Sequence, residues 1–155
     1  MKLKNVLFVV SDIEKSKAFY QELFGLSLVA DFGENVILTE GLVLQEKKIW
    51  QNFIGQDVRY GGLDAELYFE ENNMDHFIER LKQSAFQIEY VNEWTEHDWG
   101  QRVIRLYDPD KHVIEVGESM EYVARRFLNQ GMTISEVAKK TQLPIEQVKE
   151  ISGFL

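Results

Sequence analysis

The order of elements read from residues 6–45 recurs in residues 65–116, displaced by 61 positions. On that shift Val6 falls on Leu67, Phe8 on Phe69, Ile13 on Met74, Ser16 on Phe77 and Tyr20 on Leu81. Identity between the halves is low. Yet a repeat of this length restricts the fold to architectures built from two like units.

Each half opens on an apolar, β-branched or aromatic run, at 6–10 and again at 65–69, which predicts a buried strand. Polar pairs suited to helix capping follow, Ser11-Asp12 and Asn72-Asn73. The amphipathic patterns at 13–24 and 74–82 predict helices, the first stopped by Gly25. Three short strand signals close each half: 26–31, 35–39 and 42–45, then 87–94, 101–107 and 112–116. Residues 46–62 carry weak periodicity and read as the connection between halves. Beyond Glu118 only helical patterns occur, at 120–130, 133–140 and from Pro144 to Ile151. The expected fold is α+β: two βαβββ modules forming a curved mixed sheet around a cleft, plus a C-terminal helical appendage. The expected domains are 1–117, with modules at about 1–47 and 63–117, and a helix-turn-helix-like tail at 118–155.

Several function classes are disfavoured by composition. A formal net charge of −9 argues against a nucleic-acid partner, because phosphate contacts need a basic surface. The would-be recognition helix of the tail, residues 144–151, carries two glutamates and one lysine, which suits packing or dimerisation better than base reading. With no cysteine there is no disulfide framework and no thiolate nucleophile. No apolar run approaches the roughly 20 residues of a membrane span. Residues 1–5 lack the features of a signal peptide, so a cytoplasmic location is expected.

Two motifs carry a family resemblance. Residues 5–12, Asn-Val-Leu-Phe-Val-Val-Ser-Asp, precede Ser16, Phe19-Tyr20 and Leu23-Phe24-Gly25-Leu26. Near the end of the repeat stand Trp99-Gly100-Gln101-Arg102 and then Tyr107-Asp108-Pro109-Asp110-Lys111-His112-Val113-Ile114-Glu115. Over residues 1 to about 117 the chain resembles the glyoxalase/bleomycin-resistance/dioxygenase (vicinal oxygen chelate) superfamily. These motifs mark a fold rather than a reaction.

The resemblance implies a homodimer, and it implies that four strand positions line a cleft and in some members hold a metal. Here those positions fall on Asn5, Gln45, Glu66 and Glu115. None is a histidine. Two carboxylates and two amides would hold a hard cation only loosely, and a first-row transition metal less well. No cofactor is therefore expected, and a divalent metal is disfavoured, with Glu66, Glu115 and Gln45 as its remaining candidates. The alternative is a set of polar residues facing a wet cleft. Alternation along the strands sends their neighbours Val6, Leu44, Leu67 and Ile114 to the opposite face.

The aromatic residues Trp50, Phe53, Trp94 and Trp99 sit in or beside loops. They suit either the wall of a small-molecule pocket or a covered sheet edge or dimer seam. His97, between Trp94 and Trp99, is the one histidine placed for ligand contact; His76 reads as solvated and His112 as the start of a strand. Arg102 and Arg105 are three apart on one strand and so lie on opposite faces. One of them could pair with an anionic ligand, or with Glu66 or Glu115, in the cleft.

Three functions follow as expectations. The first is a small-molecule binding protein with no tightly held catalytic metal, its ligand contacted by Asn5, Gln45, Glu66, Glu115, Trp50, Trp94, Trp99 and Arg102. The second is a metal-dependent glyoxalase-like lyase or dioxygenase. The third is a ligand-sensing regulator that uses the helical tail.

Overall fold

A computed structural model describes residues 1–153, with Glu93 by its backbone alone. Its elements are β1 (Val6–Val10), α1 (Ile13–Phe24), β2 (Leu28–Asp31), β3 (Asn35–Leu38), β4 (Leu42–Glu46), α2 (Lys47–Ile54), β5 (Glu66–Glu71), α3 (Met74–Gln83), β6 (Glu89–Glu96), β7 (Arg102–Tyr107), β8 (Val113–Glu118), α4 (Met120–Asn129), α5 (Ile134–Thr141) and α6 (Ile145–Ser152). The expected α+β architecture is present. The strands form two four-stranded sheets of the same order, β1-β4-β3-β2 and β5-β8-β7-β6. The chain clusters into two compact units.

The first unit comprises residues 1–66, 80–89 and 107–113. In its sheet β1 runs parallel to β4, and β3 is antiparallel to both β4 and β2. Val10, Val36, Leu38, Leu42 and Leu44 are buried with Phe19, Tyr20 and Leu23 of α1. The Asp12 side chain starts α1 by accepting from the Lys15 N–H, and Gly25, at φ 66°, ends it in the left-handed region. Phe86 meets the Phe19 ring edge-on at 5.3 Å, and the Tyr20 hydroxyl donates to Asp108 at 2.9 Å.

One expectation is corrected here. The span 46–62, read as a plain connection, begins with helix α2. Its start signal was hidden because Glu46, rather than a short polar residue, caps it by accepting from the Ile49 N–H. The N–H groups of Ile49 and Lys48 hold this carboxylate below the usual range. Ile49, Trp50, Phe53 and Ile54 do recur at helical spacing, but over only eight residues, too short a window to announce a helix by itself.

The second unit comprises residues 67–79, 90–106 and 114–155. The repeat reaches down to the capping bond: Asn73 accepts from the His76 N–H, the positions of Asp12 and Lys15 shifted by 61. β8 is buried along its whole length. Helices α4 to α6 gather Val123, Ala124, Phe127, Val137, Val148 and Ile151 into a core of their own. Thr133 and Glu136 form a reciprocal capping box at the start of α5, and Gln142, at φ 61°, turns the chain toward α6. No helix among the described residues is long and apolar enough to cross a membrane.

Candidate functional site

In the first unit, Asn5 immediately precedes β1, and Gln45 lies on β4 opposite Val9. Val6 pairs with Leu42, so Asn5 and Gln45 share a face but stand four residues apart along the sheet, about 13 Å at the strand rise. They are not side by side. Both halves of the Gln45 amide are engaged: its oxygen accepts from Asn35 and its nitrogen donates to the Glu34 carbonyl, each at 2.8 Å. Leu44, its neighbour, is fully buried as alternation requires, whereas Val6 stays 43% exposed because β1 is an edge strand.

In the second unit a polar surface forms on one face of the sheet. Glu115 of β8 is ion-paired with Arg105 of β7. Tyr68 of β5 faces the same way, with Glu70 sharing its parity on an exposed side of the strand; Glu66, the first residue of β5, is grouped with the first unit. Burial pushes the Tyr68 phenol above its ordinary value; a hydrogen bond from Gln101 opposes this, and the carboxylates of Glu70 and Glu115 add to it.

The loop between β6 and β7 delivers the rest. His97 and Trp99 stack at 4.3 Å. The Trp99 indole donates to the Gln101 oxygen at 3.1 Å, and the Gln101 amide donates to the Tyr68 hydroxyl at 3.0 Å and the Glu118 carbonyl at 2.8 Å. The direction of donation is thus fixed from Trp99 through Gln101 to Tyr68. Gly117 makes room for this chain, since a Cβ there would lie 2.9 Å from the Gln101 nitrogen and 3.0 Å from the Tyr68 ring.

Within the same unit, Arg102 and Trp94 lie off this face. Arg102 lies on the opposite face of β7 from Arg105, bonded to the fully buried Glu118 and to Asp75 of α3. Arg105, not Arg102, is therefore the arginine beside Glu115. Trp94 also lies on the helix-bearing face, where Ile78, Tyr90, Trp94 and Ile104 line a cavity of about 310 Å³. Trp50 is half-buried on α2 of the first unit, and Phe53 is exposed. Tyr68 and Gln101 were missed in the sequence. The parity of Glu66, Tyr68 and Glu70 was a usable signal for the first, but nothing local marks Gln101 apart from its place after Trp99-Gly100. Among the described residues no group of three or more histidine, cysteine, aspartate or glutamate side chains is placed to hold a metal ion.

The fold has known counterparts. The model of the glyoxalase-like domain family matches residues 3–121. Metallothiol transferase FosB of Lysinibacillus sphaericus (strain C3-41) is 31% identical over 117 residues, covering 73% of this chain and 79% of that protein. A protein of unknown function from Agrobacterium tumefaciens str. C58 superimposes with a TM-score of 0.65 at 34% identity, over 77% of this chain and 94% of its own. The fosfomycin resistance protein FosX of Listeria monocytogenes shares the fold, with a TM-score of 0.59 at 18% identity, over 77% of this chain and 93% of its own. With its repeated βαβββ modules and a family match spanning both, the chain belongs to the glyoxalase-like domain family.

Proposed function

We propose that the Tyr68–Glu115 face binds a small planar molecule rich in hydrogen-bond donors or positively charged, without a tightly held transition metal. The observation that carries this reading is the ion pair of Glu115 with Arg105. It neutralises the carboxylate that a metal-dependent member would offer. The rest of the donor set fits such a metal no better: the Gln45 oxygen is already accepting from Asn35, Asn5 stands away from it, and no imidazole is present at any of the four positions. The ligand class follows from the surroundings. Trp99 and Tyr68 offer aromatic surface, and Glu70 adds acceptor charge beside them, in a chain of net charge −9. Aromatic faces and carboxylates together favour a planar cation over an anion.

Benzamidine, a small planar cation, is a direct probe. In ¹H–¹⁵N spectra the Trp99 indole resonance should move and saturate with added benzamidine, while those of Trp50 and Trp94 stay in place. Movement of the Trp94 resonance alone would transfer binding to the helix-side cavity and sink this reading.

A second reading, a metal-dependent transferase or lyase, is favoured by the likeness to the metallothiol transferase. It requires near-stoichiometric metal that survives dialysis and is lost in Glu115→Ala. The regulator reading draws little support from the tail, whose α6 presents Glu146 and Glu150 and pairs Lys149 with Glu146.

A further inference from the structure

The helical appendage lies almost wholly beyond the residues matched by the family model, which end at 121, yet it grips the loop that carries Trp99. We infer that α4 and α5 act as a clamp that positions the 97–101 loop over the Tyr68–Glu115 face, with Phe127 and Arg126 as positioning residues. This inference rests on the binding reading above for its functional meaning, but its structural content stands on separate contacts.

Three contacts from the tail converge on one turn of backbone. The turn is tight: the Gly100 N–H donates to the His97 carbonyl at 2.7 Å, and the His97 N–H to the Gln101 carbonyl at 2.9 Å. Gly100 adopts φ 88°, and the Phe127 ring is seated against it so closely that a Cβ at residue 100 would lie 2.3 Å from a ring carbon. Arg126 donates to the Gly100 carbonyl, while Lys140 of α5 donates to the Asp98 carbonyl at 3.2 Å. Both cations also lie over the Phe127 ring, at 4.9 and 5.3 Å.

Phe127 and Arg126 are themselves fixed. Phe127 is 5% exposed within the core of the three helices. Arg126 reaches Glu118, the same buried carboxylate that holds Arg102. Immediately past the clamped glycine, Gln101 connects Trp99 to Tyr68. A tail that loosens must therefore release the loop and, with it, the orientation of the Trp99 indole. Neither Phe127 nor Arg126 needs to touch the ligand for this to happen. Holding binding groups in place before the ligand arrives removes part of the ordering cost of binding.

The test uses the full chain and three variants, Phe127→Leu, Arg126→Gln and Lys140→Gln. Phe127→Leu keeps an apolar side chain in the helical core, and Lys140→Gln leaves that core untouched, so a folded tail is checked by unchanged far-ultraviolet circular dichroism and by well-dispersed methyl resonances of Val137 and Val148. Without ligand, the clamp requires the Trp99 indole resonance to shift and its hydrogen exchange to speed up, by about tenfold in Phe127→Leu. Benzamidine affinity should weaken about tenfold in the same variant, through lost preorganisation. An unchanged Trp99 indole shift and exchange rate in all three folded variants overturns the clamp. If the ligand-free changes occur but benzamidine leaves the wild-type Trp99 signal unmoved, the clamp stands and the binding reading falls.

Discussion

Glu115 and Arg105 set the chemistry of the proposed site, and each has a distinct mutational signature. Arg105→Leu takes the guanidinium away from a buried carboxylate and should lower stability by about 2 kcal/mol, below the cost of breaking a fully buried pair because Arg105 is partly exposed. Glu115→Gln, which removes the charge itself, should cost less; chemical denaturation of both variants decides the order. The same substitution of Arg105 should raise the affinity for divalent cations, since it removes the guanidinium that competes with a cation for Glu115, and a calorimetric titration with Mn²⁺ would register the change. Two tyrosines predict how the fold responds to alkali. Burial, together with Asp108 and Asp110, pushes the Tyr20 phenol well above its ordinary value and that of Tyr60 to about 12. The folded state thus keeps protons that the unfolded chain gives up from about pH 10. The stabilisation is complete below that pH and disappears as pH rises toward 12. Urea midpoints should fall steeply across that window, and less steeply in Tyr20→Phe. A flat profile would contradict these assignments.

Among the elements, the β6–β7 loop and the helix starts are where single changes should tell most. Gly100→Ala forces a Cβ into the Phe127 ring at a positive φ and should cost about 2–4 kcal/mol, measured by thermal or urea unfolding. Asp12→Ala and Asn73→Ala, at equivalent caps of the repeat, should each cost about 1 kcal/mol. These elements also explain what could be read in the sequence. The caps, the helices α1 and α3 and the order of strands were legible because periodicity and capping are local properties. The helix α2 was not, since a glutamate rather than a short polar residue caps it and it runs for only eight residues. The placement of Trp94 and Arg102 on the helix side depends on sheet parity, and choosing between Arg102 and Arg105 required knowing which face Glu115 takes. The role of Gln101 arises only from bonds to Tyr68, 33 positions away in sequence, and to the Glu118 carbonyl.

For the molecule as a whole, the family membership leaves assembly and ligand as proposals. A homodimer is expected, and light scattering on the full chain at micromolar concentration should give twice the 18.2 kDa monomer mass; a monomer there would refute it. The tail is expected to serve the fold rather than nucleic acid, so no mobility shift should be seen with duplex DNA at physiological salt. The central claim is binding at the Tyr68–Glu115 face without a tightly held metal. Native mass spectrometry of the protein as purified addresses both parts at once. The account predicts a mass free of bound transition metal, together with a complex on addition of benzamidine that is weakened in Trp99→Leu. Stoichiometric zinc or nickel that persists through dialysis and vanishes in Glu115→Ala, with no benzamidine complex, would contradict it.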